Sequence, residues 1–239
     1  MSQSSREPIF NVPAVVIGLV ALFVAVHLGR ELLSERDETW VILAIAFIPA
    51  RYGELAASLP GAPWAGPLAF VSHTLLHGDM MHLVINSAWL LAVGTPIARR
   101  MSGWLFVAFA AVCGAGGALL FLLVHPGLAT PMVGASGAIS GLMAATFRLM
   151  FAVEDDYGRQ VLRENAVAAP RLSLRSTFTR RQPLVAIAVW VVVNLVAALA
   201  FSGWGGGGSI AWEAHLGGFF TGLLAFELFD RGNPAEHLA

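Results

Sequence analysis

Long apolar stretches separated by short polar ones dominate the pattern of this chain. A transmembrane helix needs roughly 20 mainly apolar residues, and six segments of this kind are present. They occupy residues 12–32, 79–98, 103–124, 135–152, 183–202 and 212–229. The pattern therefore predicts an all-α integral membrane protein, a six-transmembrane-helix bundle that forms a single domain over residues 1–239.

Two other features of the apolar pattern qualify this prediction. The first loop, residues 33–78, contains an apolar run at 40–50. That run is too short to cross a bilayer, so we interpret it as interfacial or re-entrant. The first long segment is too long for the apolar core of a signal peptide, and acidic residues follow it instead of a small-residue cleavage site. We therefore expect it to be a helix of the bundle.

The composition agrees with a membrane protein. Charged residues make up 12% of the chain and hydrophobic residues 57%, whereas soluble domains contain about 25% charged residues. The lipid bilayer is therefore an expected partner. The net charge of −1 gives no reason to expect a nucleic-acid partner. Cys113 is the only cysteine, which excludes a disulfide within the chain.

All 14 basic residues are arginines, and their distribution predicts the orientation in the membrane. Three of them, Arg30, Arg36 and Arg51, lie at the end of span 1 or in loop 1. Ten others lie in the terminal segments and the loops after spans 2 and 4, namely Arg6, Arg99, Arg100, Arg159, Arg163, Arg171, Arg175, Arg180, Arg181 and Arg231. We therefore expect both termini to be cytoplasmic, and the absence of lysine suggests a bacterial inner membrane. The arginines of loop 153–182 are expected to enforce this topology and to meet anionic lipids.

Several strongly polar residues lie inside the predicted spans, where an unpaired polar group is costly. His82 and Asn86 lie near the start of span 2, Ser136 at the start of span 4 and His215 near the start of span 6. Spans 2, 4 and 6 share one direction, so these residues should lie at a similar depth in the outer half of the membrane. The pattern predicts that three helices bring them to one layer.

The residue types in this layer are those of a nucleophilic site. A serine and a histidine can act as nucleophile and base. His82 and Asn86 are four residues apart, share one helix face, and can both donate hydrogen bonds to a developing oxyanion. Each residue taken alone also fits a structural role. A serine in a membrane helix commonly bonds to a carbonyl of the preceding turn, and a lone His or Asn commonly links helices.

The glycines near these residues predict close helix packing. Gly134 would let the backbone turn tightly before Ser136. Gly137 and Gly141 form a G-x-x-x-G pair on span 4, and Gly218 and Gly222 form another on span 6. Such pairs let helix backbones approach each other. Close approach of these two spans would bring the Ser136 hydroxyl near His215, although packing alone would also account for the glycines.

Three short motifs resemble the signatures of the rhomboid intramembrane serine proteases. G-A-S-G at 134–137, H-L-V-I-N at 82–86 and A-H-L-G-G-F-F-T-G at 214–222 match the family patterns G-x-S-G, H-x-x-x-N and A-H-x-x-G-x-x-x-G. They lie on the fourth, second and sixth predicted helices, as in that family, and the likeness covers about residues 65–230. His73 and His77 resemble the histidine-rich approach to the second helix. The Trp-Arg pair common in the family's first loop is missing, which leaves the packing of loop 1 open.

The resemblance implies proteolysis of single-span or multi-span membrane-protein substrates by a Ser-His dyad. Ser136 would be the nucleophile and His215 the base, while His82 and Asn86 would complete the oxyanion hole with the Ser136 backbone N–H. No cofactor and no metal would be needed. Glu213 lies two residues from His215 and should point to a different face. The glycine-rich segment 203–212 would be either a mobile cap over the site or a plain connector.

Two other functions remain open at this stage. The first is a non-catalytic rhomboid-like protein that binds membrane clients. Such proteins lack the serine or the histidine, and this chain has both. The second is a metal or haem carrier that uses His73, His77 and His82. His82 lies off the face shared by the other two, and no carboxylate or thiolate completes a ligand set.

Overall fold

The computed structural model describes residues 12–53, 55–153, 156–201 and 211–231, and these ranges are mainly helical. The helices in chain order are α1 (Ala14–Glu31), α2 (Glu35–Ile45), α3 (Ala65–Ser72), α4 (Met80–Trp89), α5 (Thr95–Ala98), α6 (Gly103–Val124), α7 (Ser136–Met150), α8 (Asp156–Glu164), α9 (Leu174–Thr179), α10 (Arg181–Phe201) and α11 (Trp212–Phe229). A π-helical turn, Leu90–Gly94, joins α4 to α5 in one continuous helical segment. The protein is an all-α bundle.

Helices lie at each of the six segments that the sequence predicts as spans. Four of them are long and apolar enough to cross a membrane, namely Ala14–Glu31, Met80–Ala98, Gly103–Val124 and Arg181–Ala200. The other two, α7 and α11, contain 15 and 18 residues and fall outside that set. Their membrane-spanning role remains a prediction from the sequence.

Three helices form the centre of the bundle. α11 packs most extensively against α6 and α7, and α6 and α7 also contact each other. α7 is the most enclosed of the three, with 11 of its 15 residues buried. The apolar core between these helices includes Phe109, Leu142 and Phe226. α10 contacts α7, α9 and α11. It is otherwise largely exposed, and only 11% of its apolar stretch is buried inside the protein.

Loop 1 is folded against the segment that precedes α7. α2 begins after Ser34, whose hydroxyl accepts a hydrogen bond from the backbone N–H of Asp37 at 3.2 Å, a common helix cap. Beyond α2, the backbones of Phe47 and Met132 exchange two hydrogen bonds at 3.0 and 2.8 Å. The apolar run 40–50 is thus divided between a short helix and a pairing with residue 132, and its position relative to the bilayer surface remains a prediction.

A buried arginine supports loop 1 from within. The Arg51 guanidinium donates to the carbonyl of Pro60 at 2.9 Å and to the carbonyl of Leu43. These bonds tie the end of α2 to the chain before α3. Loop 1 lacks the Trp-Arg pair common in the family that the chain resembles, and the Arg51 hydrogen bonds stabilise this loop.

Buried ion pairs hold the polar loop 153–182 to the end of α11. Arg100 and Arg171 both bind the Asp230 carboxylate, with nitrogen–oxygen distances of 2.7 and 2.8 Å for Arg100 and 2.7 Å for Arg171. The side chains of Arg100 and Asp230 are fully buried. The expectation that the arginines of loop 153–182 serve only topology and lipid binding is therefore wrong for Arg171, which is paired with a buried carboxylate.

Candidate active site

Ser136 is the first residue of α7. The backbone before it is irregular and lies inside the protein, with Met132, Gly134 and Ala135 buried. Gly134 donates its N–H to the carbonyl of His73 at 3.0 Å. Fifteen helical residues extend about 22 Å, which is short of the roughly 30 Å hydrocarbon core. Irregular backbone at membrane depth is tolerated where protein encloses it, so α7 can begin below the membrane surface.

His82 lies against the segment that leads into Ser136. A Cβ atom built on Gly134 would lie 2.6 Å from His82 Nε2. The other ring nitrogen, Nδ1, accepts a 3.4 Å hydrogen bond from the backbone N–H of Gly78. Because Nδ1 is an acceptor, a neutral ring must have its proton on Nε2. His82 therefore presents an N–H donor beside the backbone at residue 134.

Asn86 lies one helical turn beyond His82 and is buried. Its Nδ2 group donates to the His82 carbonyl at 2.9 Å. An amide nitrogen has two hydrogens, so this bond uses one of them and orients the other away from the α4 backbone. The start of α4 is fixed by Asp79, whose carboxylate accepts from the backbone N–H of His82 at 2.8 Å.

His215 lies in the first turn of α11 and contacts α10. Its Nδ1 atom is 2.8 Å from the Oδ1 atom of Asn194. Asn194 also donates from Nδ2 to the carbonyl of Trp190 at 2.9 Å. Glu213 faces elsewhere, because its carboxylate binds Nε2 of His125 at 2.6 Å. The nearest acid in sequence is thus paired with a different histidine.

The predicted glycine contact between α7 and α11 is present as direct backbone packing. A Cβ atom on Gly218 would overlap the Gly137 carbonyl, and one on Gly222 would overlap the Gly141 carbonyl. A Cβ atom on Gly137 would lie 3.2 Å from the carbonyl oxygen of Ala214. Ser136 precedes Gly137 and His215 follows Ala214, so backbone segments in contact bear the two residues.

The other histidines predicted near the site are buried beside it. His73 donates from Nδ1 to the carbonyl of Ala69 at 2.8 Å, and the ring centroids of His77 and His82 are 5.2 Å apart. Burial lowers the pKa of both His73 and His77 to about 4, so both rings are neutral near pH 7. No group of three or more His, Cys, Asp or Glu side chains that could hold a metal ion occurs among the described residues.

Two polar residues inside helices were missed by the sequence analysis. Asn194 is the only amide between Leu184 and Ala200, and Arg148 is the only charged residue of α7. Arg148 is fully buried and binds the carbonyls of Leu172 and Leu223 and the Glu227 carboxylate. The high cost of a polar group within a span could have identified both residues. The glycine-rich segment 203–212 falls almost wholly outside the described residues.

Comparison with known proteins supplies the last observation on this site. A search of curated proteins finds no match. The family model of the Rhomboid domain matches residues 65–229. That range spans the helices that bear His82, Asn86, Ser136 and His215, and it covers well over half of the chain. The protein is therefore a member of the rhomboid family.

Proposed function

We propose that this protein is an intramembrane serine endopeptidase that cleaves transmembrane segments of membrane proteins. Ser136 is the nucleophile and His215 is the general base. The observation that carries the proposal is the backbone contact between α7 and α11, in which Gly137 and Ala214 lie next to these two residues. Helices in direct backbone contact hold their side chains in a fixed relation, which nucleophilic catalysis requires.

The proton transfers follow from the hydrogen bonds of the two site histidines. Nδ1 of His215 faces the carbonyl oxygen of Asn194, so its Nε2 has the free lone pair and takes the proton from the Ser136 hydroxyl. Ser136 Oγ then bonds to the scissile carbonyl carbon. His215 returns the proton to the leaving amine as the C–N bond breaks, and water hydrolyses the resulting ester.

The negative charge that develops on the substrate oxygen needs hydrogen-bond donors. The proposed donors are the backbone N–H of Ser136, Nε2–H of His82 and the second hydrogen of Asn86 Nδ2. Ser136 begins α7, and N–H groups in the first turn of a helix have no partner within the helix. The positive end of the helix dipole adds to this stabilisation.

The substrates and the cellular location follow from the membrane setting. A rhomboid-family membrane protein acts within the bilayer, so we propose single-span or multi-span membrane proteins as substrates. A helical substrate must unwind locally to expose a peptide bond, which favours small and helix-destabilising residues near the cut. The arginine distribution supports cytoplasmic termini, and thus a site in the outer half of the membrane. The absence of lysine is the reason for proposing a bacterial inner membrane.

A cleavage assay with matched serine variants tests this function. The purified protein is incubated with a panel of tagged single-span substrates, and the products are identified by mass. Ser136→Ala should abolish cleavage and fluorophosphonate labelling. Ser140→Ala is the control, because Ser140 is buried one turn further along the same helix and should leave both signals within about threefold of wild type.

The competing function is a non-catalytic membrane protein that binds clients. It predicts that well-folded wild-type protein neither cleaves any substrate nor reacts with the fluorophosphonate. Cleavage by the Ser136→Ala variant at the wild-type rate would exclude Ser136 as the nucleophile.

A further inference from the structure

α10 is an unusual place for an amide side chain. Between Leu184 and Ala200 the sequence is otherwise composed of aliphatic residues and one tryptophan. Val192, Val193 and Val196 are each more than half exposed, as expected for a face that meets lipid. Asn194 instead turns towards α11, and both of its polar groups have partners. An amide in this setting needs such partners, because lipid offers none.

The hydrogen bonds of Asn194 determine the orientation of its amide. The Trp190 carbonyl can only accept, so the nitrogen of the amide must face it. Oδ1 is then the atom 2.8 Å from His215 Nδ1. A carbonyl oxygen can only accept, so Nδ1 of His215 must bear the proton. In a neutral imidazole Nε2 is then unprotonated.

The opposite arrangement holds at His82. There a backbone N–H donates to Nδ1, which leaves the proton on Nε2. The hydrogen bonds of two histidines on different helices thus favour opposite tautomers, one presenting a donor and the other an acceptor. These are the two states that an oxyanion donor and a general base require.

We propose that Asn194 is a positioning residue that holds His215 in the base-competent tautomer and orientation. This inference rests on the proposed function. It assigns a third group to the dyad, supplied by α10 in place of a carboxylate. The same helix is docked on α11 by the stacked rings of Trp190 and Phe219, whose centroids are 4.1 Å apart at 20°. His215 can therefore act as the base only while α10 is packed against α11.

Variants at residue 194 separate this role from simple helix packing. Asn194→Leu keeps a side chain branched at Cγ and removes the acceptor, whereas Asn194→Asp keeps an acceptor. Loss of one neutral hydrogen bond should lower kcat by roughly tenfold in the Leu variant, with KM within twofold of wild type. Asn194→Asp should retain at least a third of the wild-type kcat. Val193→Ala, on the exposed face of α10, is the matched control and should be unchanged.

A spectroscopic measurement keeps the proposal testable if the protein proves inactive. In ¹⁵N-histidine-labelled protein, the His215 signals are assigned by their loss in His215→Gln. Wild type should show a protonated Nδ1 and an unprotonated Nε2, and Asn194→Leu should show a mixture of tautomers. Failure of the proposed protease function would appear as no cleavage by wild type, with this signature still present.

Three results would overturn the role of Asn194. They are an unchanged kcat in a folded Leu variant, a higher KM at constant kcat, and a wild-type His215 spectrum in Asn194→Leu. Equal losses in Val193→Ala and Asn194→Leu would also overturn it, since they would assign the effect to the packing of α10.

Discussion

Two independent constraints require a glycine at position 134. Its φ angle of +118° lies in a region that residues with a side chain rarely adopt. In addition, a Cβ atom there would lie 2.6 Å from His82 Nε2. The residue therefore lets the chain turn before Ser136 and lets the His82 donor approach the backbone at the same point.

A single methyl group at this position should impair cleavage. In Gly134→Ala the new Cβ displaces His82, and loss of one oxyanion donor typically lowers the rate by about 10²–10³-fold. The measurement is kcat on a cleaved substrate, together with Tm in detergent. Gly127→Ala is the control, because Gly127 also has a positive φ, +83°, but has no atom within 4 Å of the Cβ position.

Comparable losses of kcat in the two variants would contradict this account. Such a result would show that backbone strain alone is responsible, and that the space beside His82 has no role.

Residue-level prediction from the sequence depends on polar groups that occur in short motifs. The polarity and spacing of His82, Asn86, Ser136 and His215 predict them as site residues, and their roles remain predictions. Asn194 was missed although it is equally polar, because no local motif surrounds it and its partner lies on another helix. The tautomers of the two site histidines depend on Gly78 and Asn194, and such tertiary contacts leave no pattern in the sequence.

At the scale of helices, the contact between α7 and α11 is the central feature. Gly218 faces the Gly137 carbonyl and Gly222 faces the Gly141 carbonyl so closely that neither position has room for a Cβ atom. Small residues permit such approach in membranes, where van der Waals packing has a large share in helix association.

Gly218→Ala should separate these helices. Alanine ordinarily favours a helix over glycine by roughly 0.5–1 kcal/mol, but here the methyl group would overlap the backbone of α7. We expect a lower Tm and a loss of fluorophosphonate labelling by more than about tenfold. Gly29→Ala in α1, where nothing lies within 4 Å, should keep labelling and retain or raise Tm. A Gly218→Ala protein with wild-type labelling would show that this apposition is not needed.

Helix boundaries were predicted best where apolar runs end abruptly. The predicted segments 103–124 and 212–229 have the same bounds as α6 and α11. The start of α2 was missed, although Ser34 followed by Asp37 is a capping pattern. The π-helical turn at Leu90–Gly94 was not predicted either, because its residues are as apolar as those of an ordinary α-helix.

At the scale of the whole molecule, the candidate site and the buried ion pairs occupy opposite ends of the central helices. Ser136 and His215 lie at the N-terminal ends of α7 and α11. Arg148 lies near the other end of α7, and Asp230 follows the other end of α11. The ion pair between Arg171 and the buried Asp230 carboxylate fixes the loop 153–182 to the bundle. The molecule thus has one end held by buried ion pairs and one end that bears the proposed catalytic residues.

This division makes the membrane orientation testable with two variants that each add one cysteine to the native chain. The native Cys113 is buried and should not react with a membrane-impermeant maleimide. Ala129→Cys, in the exposed loop before α7, should label in intact cells, whereas Ala168→Cys, exposed in the arginine-rich loop, should label only after the cells are disrupted. The physical reason is that arginine-rich loops remain cytoplasmic. The reverse labelling would place Ser136 in the cytoplasmic half of the membrane, and any substrate would then have to be cut near its cytoplasmic end.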